Sequence, residues 1–320
     1  MKRFSLRVFI FLMVLWLLPQ TAWAARMLVP VGRVLGLELK NGTVTVAGFE
    51  ENACARQAGL KEGDRLLAID GKPISCTADV RDALCHTKGS ATIRVVRGKE
   101  ELSLRVSPAI TADGPKLGAY LKEGVTGIGT VTWFDPESQS FAALGHGVNS
   151  PEGGLLKLKE GHVYDARIVS VRKGKAGAPG QLMGALAGSA PIGSLSKNTA
   201  QGVFGSIQTI YSGNALEVAS SEDIKPGPAK ILSNIHDQAV QEYSVEILKI
   251  YPTTRTADRN LLIRVTDPTL LETTGGIVQG MSGSPIIQDG KLVGAVTHVL
   301  VNDPTTGYGI FIENMLDAAA

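Results

Sequence analysis

One serine in a glycine-rich loop is the clearest candidate for chemistry in this 320-residue sequence. Ser282 lies in the segment QGMSGSPIIQDG, residues 279–290, with Gly280 two positions before it and Gly283 directly after it. A nucleophilic serine needs two backbone N–H groups aimed at a developing oxyanion, which requires a sharply turned backbone without bulky side chains. The pattern predicts Ser282 as a nucleophile, with the N–H groups of Gly280 and Ser282 as oxyanion donors. Ser284, which lies outside the glycine-flanked position, and a purely structural turn are the weaker alternatives.

A histidine has to accompany this serine, because a serine hydroxyl is a poor nucleophile until a base removes its proton. His146, in SFAALGHGVNS, follows an apolar run and lies between two glycines, so its ring can project from a strand end into a cleft. The sequence predicts His146 as the base. His86 lies on a predicted surface helix, and His162 and His236 lie in polar loop contexts.

A third residue, a carboxylate, would fix the imidazole tautomer and stabilise the imidazolium that forms during attack. The local pattern leaves this residue open among several aspartates, namely Asp135, Asp165, Asp237, Asp258, Asp267 and Asp303. The GMSGSP loop resembles the nucleophile loop of chymotrypsin-like peptidases. In those enzymes the acid lies well ahead of the serine in the chain and between two barrels. This chymotrypsin template favours Asp165 or Asp237.

The chain beyond Pro108 is rich in short strands and glycine turns, which fits two small β-barrels. Its GMSGSP loop resembles the Gly-x-Ser-Gly-x-Pro loop of chymotrypsin-like peptidases. The following segment, LVGAVTHV, would be a strand that lines the substrate pocket, so Thr297 and His298 are candidate pocket residues. A terminal helix is expected after PTTGYGIF.

The first third of the chain has a different pattern. VLGLELK, the turn signal Asn41-Gly42 and TVTVAGF predict a hairpin. The segment AGLKEGDRLLAIDGKPI, residues 58–74, resembles the Gly-Leu-x-x-Gly-Asp turn and following strand of PDZ domains. On this comparison Gly36, Leu37, Glu38 and Leu39 would form the loop that binds a peptide's terminal carboxylate, with the peptide added as a strand at the sheet edge.

Composition and the N-terminus restrict the class of protein. With 32 Lys+Arg against 30 Asp+Glu and no long charge run, a nucleic-acid partner is not expected. MKRFSLR is basic, Val8 to Leu18 is apolar, and Ala22-Trp23-Ala24 is a small-x-small cleavage site, so an export signal or signal anchor is expected. The expected organisation is mainly β: signal 1–24, PDZ domain 25–110, and a chymotrypsin-like double β-barrel serine peptidase domain 111–320.

GHGV around His146, together with IVQGMSGSPIIQDGKLVGAVTHVLVNDPTTGYG, resembles the SpoIVB peptidase family of spore-forming bacteria. In that family the acid lies fifteen positions before the serine, so the resemblance implies Asp267, in RVTDPTLL, as the third catalytic residue. It also implies a sporulation signalling protease that is exported into the space between the forespore membranes. There it would cleave the regulatory subunit of an intramembrane metalloprotease complex, which leads to processing of a sigma factor.

The function expected from the sequence is therefore an exported serine endopeptidase that needs no metal or organic cofactor. Its PDZ domain would bind peptide termini or segments, including segments of its own chain. Two alternatives stay open: a non-catalytic PDZ scaffold, and a quality-control protease of the HtrA kind. HtrA proteases place the peptidase before the PDZ domain, which counts against the second alternative.

Overall fold

The computed structural model describes residues 26–151, 153–209, 211–235, 239–251 and 258–320. The expected export signal, residues 1–24, and the candidates His236 and Asp237 lie outside the described residues. Over the described ranges, no helix is both long enough and apolar enough to cross a membrane. The structure is dominated by β-strands, as the alternating apolar pattern and frequent turn residues predict.

Strands make up most of the regular structure, with short helices between some of them. In chain order the strands are β1 (Met27–Pro30), β2 (Val34–Phe49), β3 (Arg65–Ile69), β4 (Lys72–Pro73), β5 (Ala91–Arg97), β6 (Glu100–Val106), β7 (Ala109–Thr111), β8 (Gly114–Lys116), β9 (Ala119–Asp135), β10 (Ser140–Ala143), β11 (Glu160–Arg172), β12 (Gln181–Leu186), β13 (Gly193–Thr199), β14 (Gly202–Ile207), β15 (Leu216–Glu217), β16 (Gly227–Ser233), β17 (Gln241–Ile250), β18 (Leu261–Val265), β19 (Pro285–Gln288), β20 (Lys291–Leu300) and β21 (Asp303–Phe311). The helices are α1 (Cys54–Gln57), α2 (Thr77–His86), α3 (Pro268–Thr274) and α4 (Ile312–Ala319).

Two closed rings of strands form the body of the molecule. In the first barrel β2, β9, β10, β14, β13 and β11 pair in that order, and β11 pairs with β2 to close the ring. In the second barrel β16, β17, β18, β21, β20 and β19 form a closed ring. Each ring has its own apolar interior. The predicted fold class, a PDZ domain with a double β-barrel, is confirmed.

The PDZ domain interrupts the first barrel instead of preceding it. The first part of β2 pairs with β11 and with the second half of β9, whereas the last part of β2 pairs with β3 and with the first half of β9. The last part of β2, the elements β3 to β8, α1 and α2, and the first half of β9 pack around a separate apolar core. We call this part of the chain the PDZ segment. Strand pairing therefore assigns residues 27–39 to the peptidase barrel, although the sequence predicts a PDZ domain that begins at residue 25.

The predicted carboxylate-binding loop at Gly36, Leu37, Glu38 and Leu39 is wrong. These four residues form part of β2, with β9 on one side and β11 on the other, so their backbone groups belong to two strand ladders. Asn41-Gly42 likewise lies inside the long β2 at a shift of register and not in a hairpin turn. The alternation of apolar residues identified a strand correctly, but it could not identify which strands lie beside it.

The PDZ turn at residues 59–71 forms as its sequence predicts. Gly59 and Gly63 have φ of 95° and 87°, values that favour glycine. Asp64 is buried, accepts a hydrogen bond from the Lys61 N–H at 2.8 Å and pairs with Arg97 at 2.7 Å. Burial alone would raise the pKa of Asp64, but the hydrogen bonds from Arg97 and Lys61 leave it below its ordinary value. The pair holds the turn against β5.

Candidate active site

Ser282 lies in the loop between α3 and β19, at the face where the second barrel meets β9 of the first. Gly280 and Gly283 have φ of 101° and 98°, a conformation that residues with a Cβ rarely adopt. A Cβ at Gly283 would also clash with the carbonyl oxygen of Thr130. The two glycines that single out this loop in the sequence are therefore required by its backbone.

Two threonines of β9 fix the loop. Thr130 donates its N–H to the Ser282 carbonyl at 3.1 Å and its Oγ1 proton to the Gly280 carbonyl at 2.7 Å. Thr132 donates its Oγ1 proton to the Gly283 carbonyl at 2.8 Å. Both threonines are fully buried, so these bonds are shielded from competing water. The first barrel thus holds the backbone of the candidate nucleophile.

The N–H groups around Ser282 fall into two sets. Gly283 donates to Val296 O at 2.7 Å, and Met281 donates to Val278 O at 3.1 Å. The N–H groups of Gly280 and Ser282, the predicted oxyanion donors, make no hydrogen bond to any residue that the structure describes. They remain available to a carbonyl oxygen that becomes negatively charged.

His146 directly follows a strained turn at the end of β10. Leu144 has φ of 73°, which is uncommon for a residue with a branched side chain, and Gly145 has φ of 69°. The turn places the half-buried His146 ring with Nδ1 3.0 Å from the Gly147 carbonyl oxygen. If Nδ1 carries the proton and donates it there, Nε2 is left as the basic nitrogen.

Thr297 on β20 lies beside both candidate residues. The Ser282 hydroxyl donates to the Thr297 carbonyl at 2.8 Å. A Cβ built at Gly145, the residue before His146, would lie 2.9 Å from Thr297 Cγ2. The structure therefore brings the Ser282 loop and the His146 turn together at one residue of β20, with the hydroxyl directed to the strand. Proton transfer requires rotation of this hydroxyl toward the imidazole.

His298 forms a second imidazole in the site. Its ring centroid lies 5.2 Å from that of His146, and its Nε2 lies 3.7 Å from Asp258 Oδ2. Its Nδ1 is buried without a hydrogen-bond partner among the described residues. Burial lowers the pKa of His298, and so do the nearby His146 and Arg259, whereas Asp258 acts in the opposite direction. The net result is a pKa below the ordinary value, which favours a neutral ring.

Asp267, the acid implied by the family resemblance, has a different set of partners. It is the N-cap of α3, where its carboxylate accepts from Leu270 N at 3.0 Å and from Ser244 N at 3.3 Å. Asp258 and Asp267 flank opposite ends of β18, and a strand rises by roughly 3.3 Å per residue. The carboxylate that the structure brings to His298, the ring next to His146, is Asp258. A catalytic role for Asp267 stays a prediction from the resemblance.

The two acids that the chymotrypsin template favours have different outcomes. Asp165 lies on β11 and pairs with Arg33 at 2.8 Å, so its charge is already engaged. Asp237 lies outside the described residues. Sequence reasoning included Asp258 among the open candidates but had no signal to select it, because its approach to His298 depends on how β18 and β20 flank β21.

A second candidate site, a cavity in the PDZ domain, lies between α2 and the start of β9. This cavity of about 650 Å³ is lined by Val80 and Leu84 from the helix and by Leu117 and Leu121 from the other side. Among the described residues, the edge of β9 that faces this cavity pairs with no strand over residues 119–123. This is the geometry in which a peptide adds as an extra strand.

The loop before β9 replaces the predicted carboxylate loop. The carbonyls of Leu117 and Gly118 accept hydrogen bonds from Ala55 N at 3.1 Å and Glu50 N at 2.8 Å. Because C=O and N–H point in opposite directions across a planar trans peptide, the N–H groups of Gly118 and Ala119 point away from these donors. Among the described residues neither N–H has a hydrogen-bond partner outside the strand ladders, so both can bind a terminal carboxylate. The sequence carried a signal here, the Leu-Gly pair in KLGAYL, which resembles the Leu-Gly of the misassigned segment.

Comparison with known families agrees with the two parts of the chain. A sequence model described as SpoIVB peptidase S55 matches residues 114–316, and a PDZ domain model matches residues 34–107. The first of these covers more than half of the chain.

Individual relatives match over shorter segments. A protein named as a zinc metalloprotease from Agrobacterium fabrum is 41% identical over 86 residues, 27% of this chain and 23% of the relative. Serine protease HTRA1 from Xenopus tropicalis is 41% identical over 54 residues, 17% of this chain and 12% of the relative. The chain thus spans less than a quarter of these relatives. Among solved structures, the active form of the Rv3671c protease from M. tuberculosis has a TM-score of 0.36 and 16% identity, covering 60% of this chain and 72% of that one.

Proposed function

The chain belongs to the SpoIVB peptidase S55 family, and on this premise we propose that it is a serine endopeptidase whose PDZ domain binds its protein substrates. The observation that carries the proposal is the meeting of the Ser282 loop and the His146 turn at Thr297. The unpaired N–H groups of Gly280 and Ser282 add the oxyanion donors that acyl transfer requires.

In the proposed mechanism His146 Nε2 accepts the Ser282 hydroxyl proton as the oxygen attacks the peptide carbonyl carbon. The Gly280 and Ser282 N–H groups hold the carbonyl oxygen while it carries negative charge. His146 then gives the proton to the leaving amine, and water repeats the sequence on the acyl-enzyme. Glycine at 283 and the two threonine bonds keep the donors fixed, so little reorganisation is needed during the reaction.

We propose Asp258 as the acidic residue that supports His146, acting through His298. The Gly147 carbonyl fixes the His146 tautomer, and Asp258 supplies negative charge beside His298, the ring next to His146, when His146 becomes an imidazolium. Thr297 and His298, expected from the sequence as pocket residues, then border the nucleophile from β20. Asp267 remains the competing assignment from the resemblance.

The biological setting is a finer proposal, supported by family membership and by the basic, apolar and small-x-small pattern of the N-terminus. The peptidase acts after export, in the space between forespore membranes. Its substrate is the regulatory subunit of an intramembrane metalloprotease complex, and cleavage leads to sigma-factor processing.

Digestion of a protein substrate tests the proposed activity. Wild type, Ser282→Ala and His146→Ala are incubated with casein, and new peptide ends are counted by mass spectrometry. We expect both variants to lose activity by at least about 10⁴-fold while keeping the wild-type melting temperature. Cleavage by Ser282→Ala at the wild-type rate would overturn the proposal.

The sporulation setting needs its own experiment. The enzyme is coexpressed in a heterologous bacterium with a spore-former's intramembrane metalloprotease complex, its regulatory subunit and the sigma-factor precursor. Wild type should cut the regulatory subunit and promote precursor processing, and Ser282→Ala should do neither. Equal processing with both forms would favour the non-catalytic PDZ scaffold, since binding alone would then suffice.

A quality-control role of the HtrA kind would require cutting of many unfolded proteins and no preference for the regulatory subunit. The order of domains in HtrA proteases, peptidase and then PDZ, differs from the order here, because the PDZ segment is inserted in the chain between β2 and β9 of the first barrel. Competition between casein and the regulatory subunit separates the two roles.

A further inference from the structure

We propose that this peptidase measures its cleavage site from the C-terminus of its substrate. A free C-terminal carboxylate binds the PDZ groove, and the substrate chain upstream of it follows β9 to Ser282. The inference rests on the proposed peptidase function and names its substrate class, a protein with an extended C-terminal tail that ends in a free carboxylate.

A single strand connects the two sites. β9 runs from Ala119 to Asp135, with a shift of register against β2 at Gly124, whose φ is 58°. Its first residues border the PDZ groove, and Thr130 donates its N–H to the Ser282 carbonyl. A peptide that follows this strand is therefore carried from one site to the other.

Three cavities lie in line along β9. The PDZ groove ends at Leu121, which also lines a cavity of about 580 Å³ that extends to Thr126. Thr126 in turn lines a third cavity, of about 710 Å³, together with Gly127 and Ile128. Neighbouring cavities thus share a lining residue, and the proposed peptide path, or track, runs through all three, bordered in the third also by Leu37 of β2 and Tyr164 of β11.

The wall of the third cavity contacts the loop of the candidate oxyanion donors, although Gly280 and Ser282 do not themselves line the cavity. Its wall is β12, where Leu182 donates its N–H to the Gln279 carbonyl at 2.8 Å. A Cβ at Gly280 would lie 3.0 Å from Leu182 Cβ, so the wall touches the catalytic loop. Leu186 and Ile128 make the lining apolar, and about half of the Leu186 surface is exposed. Such a surface suits apolar side chains of an extended peptide.

The position of the carboxylate site fixes the direction of the peptide. The free N–H groups of Gly118 and Ala119 lie at the start of β9. A peptide whose C-terminus lies there and which pairs antiparallel with β9 has its upstream residues beside Leu121, then Thr126, then Thr130. The residues on the C-terminal side of the cleaved bond would therefore fill the track.

The strand also sets the length. Ala119 and Ile128 are nine residues apart along β9, which corresponds to roughly 30 Å of extended chain. An extended substrate needs about nine residues for this distance and a few more to reach Ser282, so the cut falls roughly ten to twelve residues before the C-terminus.

A peptide mixture tests this distance. Peptides of 24 residues, randomised except for a C-terminal leucine, are prepared as free acids and as C-terminal amides, and the products are mapped by mass spectrometry. We expect the acids to be cut mainly about ten to twelve residues from the end, and the amides at least about tenfold more slowly and at scattered positions. Identical rates and cut positions in both sets would overturn the proposal.

A blocking variant provides the second measurement. Gly127 lies in the track with no atom within 4 Å of a built Cβ, so Gly127→Trp can be accommodated but should obstruct the peptide. We expect it to bring cleavage of the acids down to the level of the amides. Val169→Trp, at a 64% exposed position of β11 outside the three cavities, should behave as wild type. An unchanged cut pattern in Gly127→Trp contradicts the track.

Labelling of Ser282 by a fluorophosphonate tests the peptidase function separately from the fixed distance between the cut and the C-terminus. Wild type and both tryptophan variants should be labelled, which shows that the nucleophile is intact. If wild type is labelled but cuts at positions unrelated to the C-terminus, only the proposed spacing between the cut and the C-terminus is contradicted. A wild-type enzyme that is not labelled contradicts the peptidase function itself.

Discussion

The two adjacent imidazoles dominate the electrostatics of the candidate site at the scale of single residues. His146 must gain a proton during attack, and a second positive charge on His298, with ring centroids 5.2 Å apart, would oppose this. Burial and the neighbouring His146 lower the pKa of His298, so its ring is neutral at neutral pH. A neutral His298 therefore places no second positive charge beside His146 when His146 accepts the serine proton.

The lowered pKa of His298 makes stability depend on pH. The unfolded protein takes up a proton at His298 near the ordinary pKa of about 6.5, whereas the folded protein takes it up only at lower pH. The folded state therefore keeps its full stability above about pH 6.5 and loses stability as the pH falls below that value. We expect the melting temperature to fall between pH 7.5 and 5.5, and to fall less in His298→Gln. Equal falls in both proteins, measured by differential scanning calorimetry, would contradict this account of the ring.

Asp258 and Asp267 can be distinguished by matched substitutions. Asp258→Asn should slow fluorophosphonate labelling of Ser282 by about tenfold or more, because it removes the negative charge beside His298, the ring next to His146. Asp267→Asn should change the rate little, because asparagine caps a helix about as well as aspartate. Asp267→Ala should lower the free energy of unfolding by about 1 kcal/mol. The reverse order of labelling rates would restore Asp267 as the catalytic acid.

At the scale of elements, β9 holds the nucleophile loop of the other barrel. Its threonines bind the carbonyls of Gly280, Ser282 and Gly283, so the loop takes its shape from a strand more than 140 positions earlier in the chain. The pairing makes the relative position of the two barrels part of the catalytic geometry.

Two valine substitutions test this arrangement. Thr130→Val removes the bond to Gly280, an oxyanion donor, and Thr132→Val removes the equivalent bond to Gly283. Each should lower the free energy of unfolding by about 1–3 kcal/mol, because a buried Gly283 carbonyl or a partly buried Gly280 carbonyl loses its partner. Only Thr130→Val should also reduce kcat strongly, by about tenfold or more, since loss of one oxyanion donor costs on the order of 10²-fold or more. Equal kcat in the two variants would refute the positioning role.

At the scale of the whole molecule, the PDZ domain and the peptidase are not consecutive units. β1 and the first part of β2 belong to the peptidase barrel, and β9 returns to that barrel after the PDZ segment. Both ends of the PDZ segment are thus attached to strands of the first barrel. Peptide binding in the PDZ groove is consequently well placed to affect the barrel.

Fragments provide the corresponding prediction. A fragment of residues 111–320 lacks β1 and β2, which leaves β9 and β11 without their shared partner. We expect it not to fold, whereas residues 26–320 fold and label at Ser282. Circular dichroism and fluorophosphonate labelling of both fragments decide the matter. A folded, labelled 111–320 fragment would show that the first barrel does not need the strands before the PDZ segment.

Local features of this protein could be read from its sequence, whereas features that depend on distant pairing could not. The glycines at 280 and 283, the turn at 59–71 and the setting of His146 are short-range signals, and the structure has them as expected. The split of β2 depends on its pairing with β9, about 90 positions later, and alternation alone does not reveal a strand's partners. For the same reason the sequence does not single out Asp258 as the acid. Asp258 approaches His298 only through the order of strands in the second barrel.

The activation of Ser282 by His146 is tested most directly by the rate at which a fluorophosphonate labels Ser282. This rate is measured at pH 7.5 in wild type, His146→Ala and Ser282→Ala. We expect wild type to be labelled at Ser282, Ser282→Ala not to be labelled, and His146→Ala to be labelled at least about 100-fold more slowly, since general-base catalysis contributes about 10²–10⁴-fold. Labelling of His146→Ala at the wild-type rate would contradict the activation of Ser282 by His146.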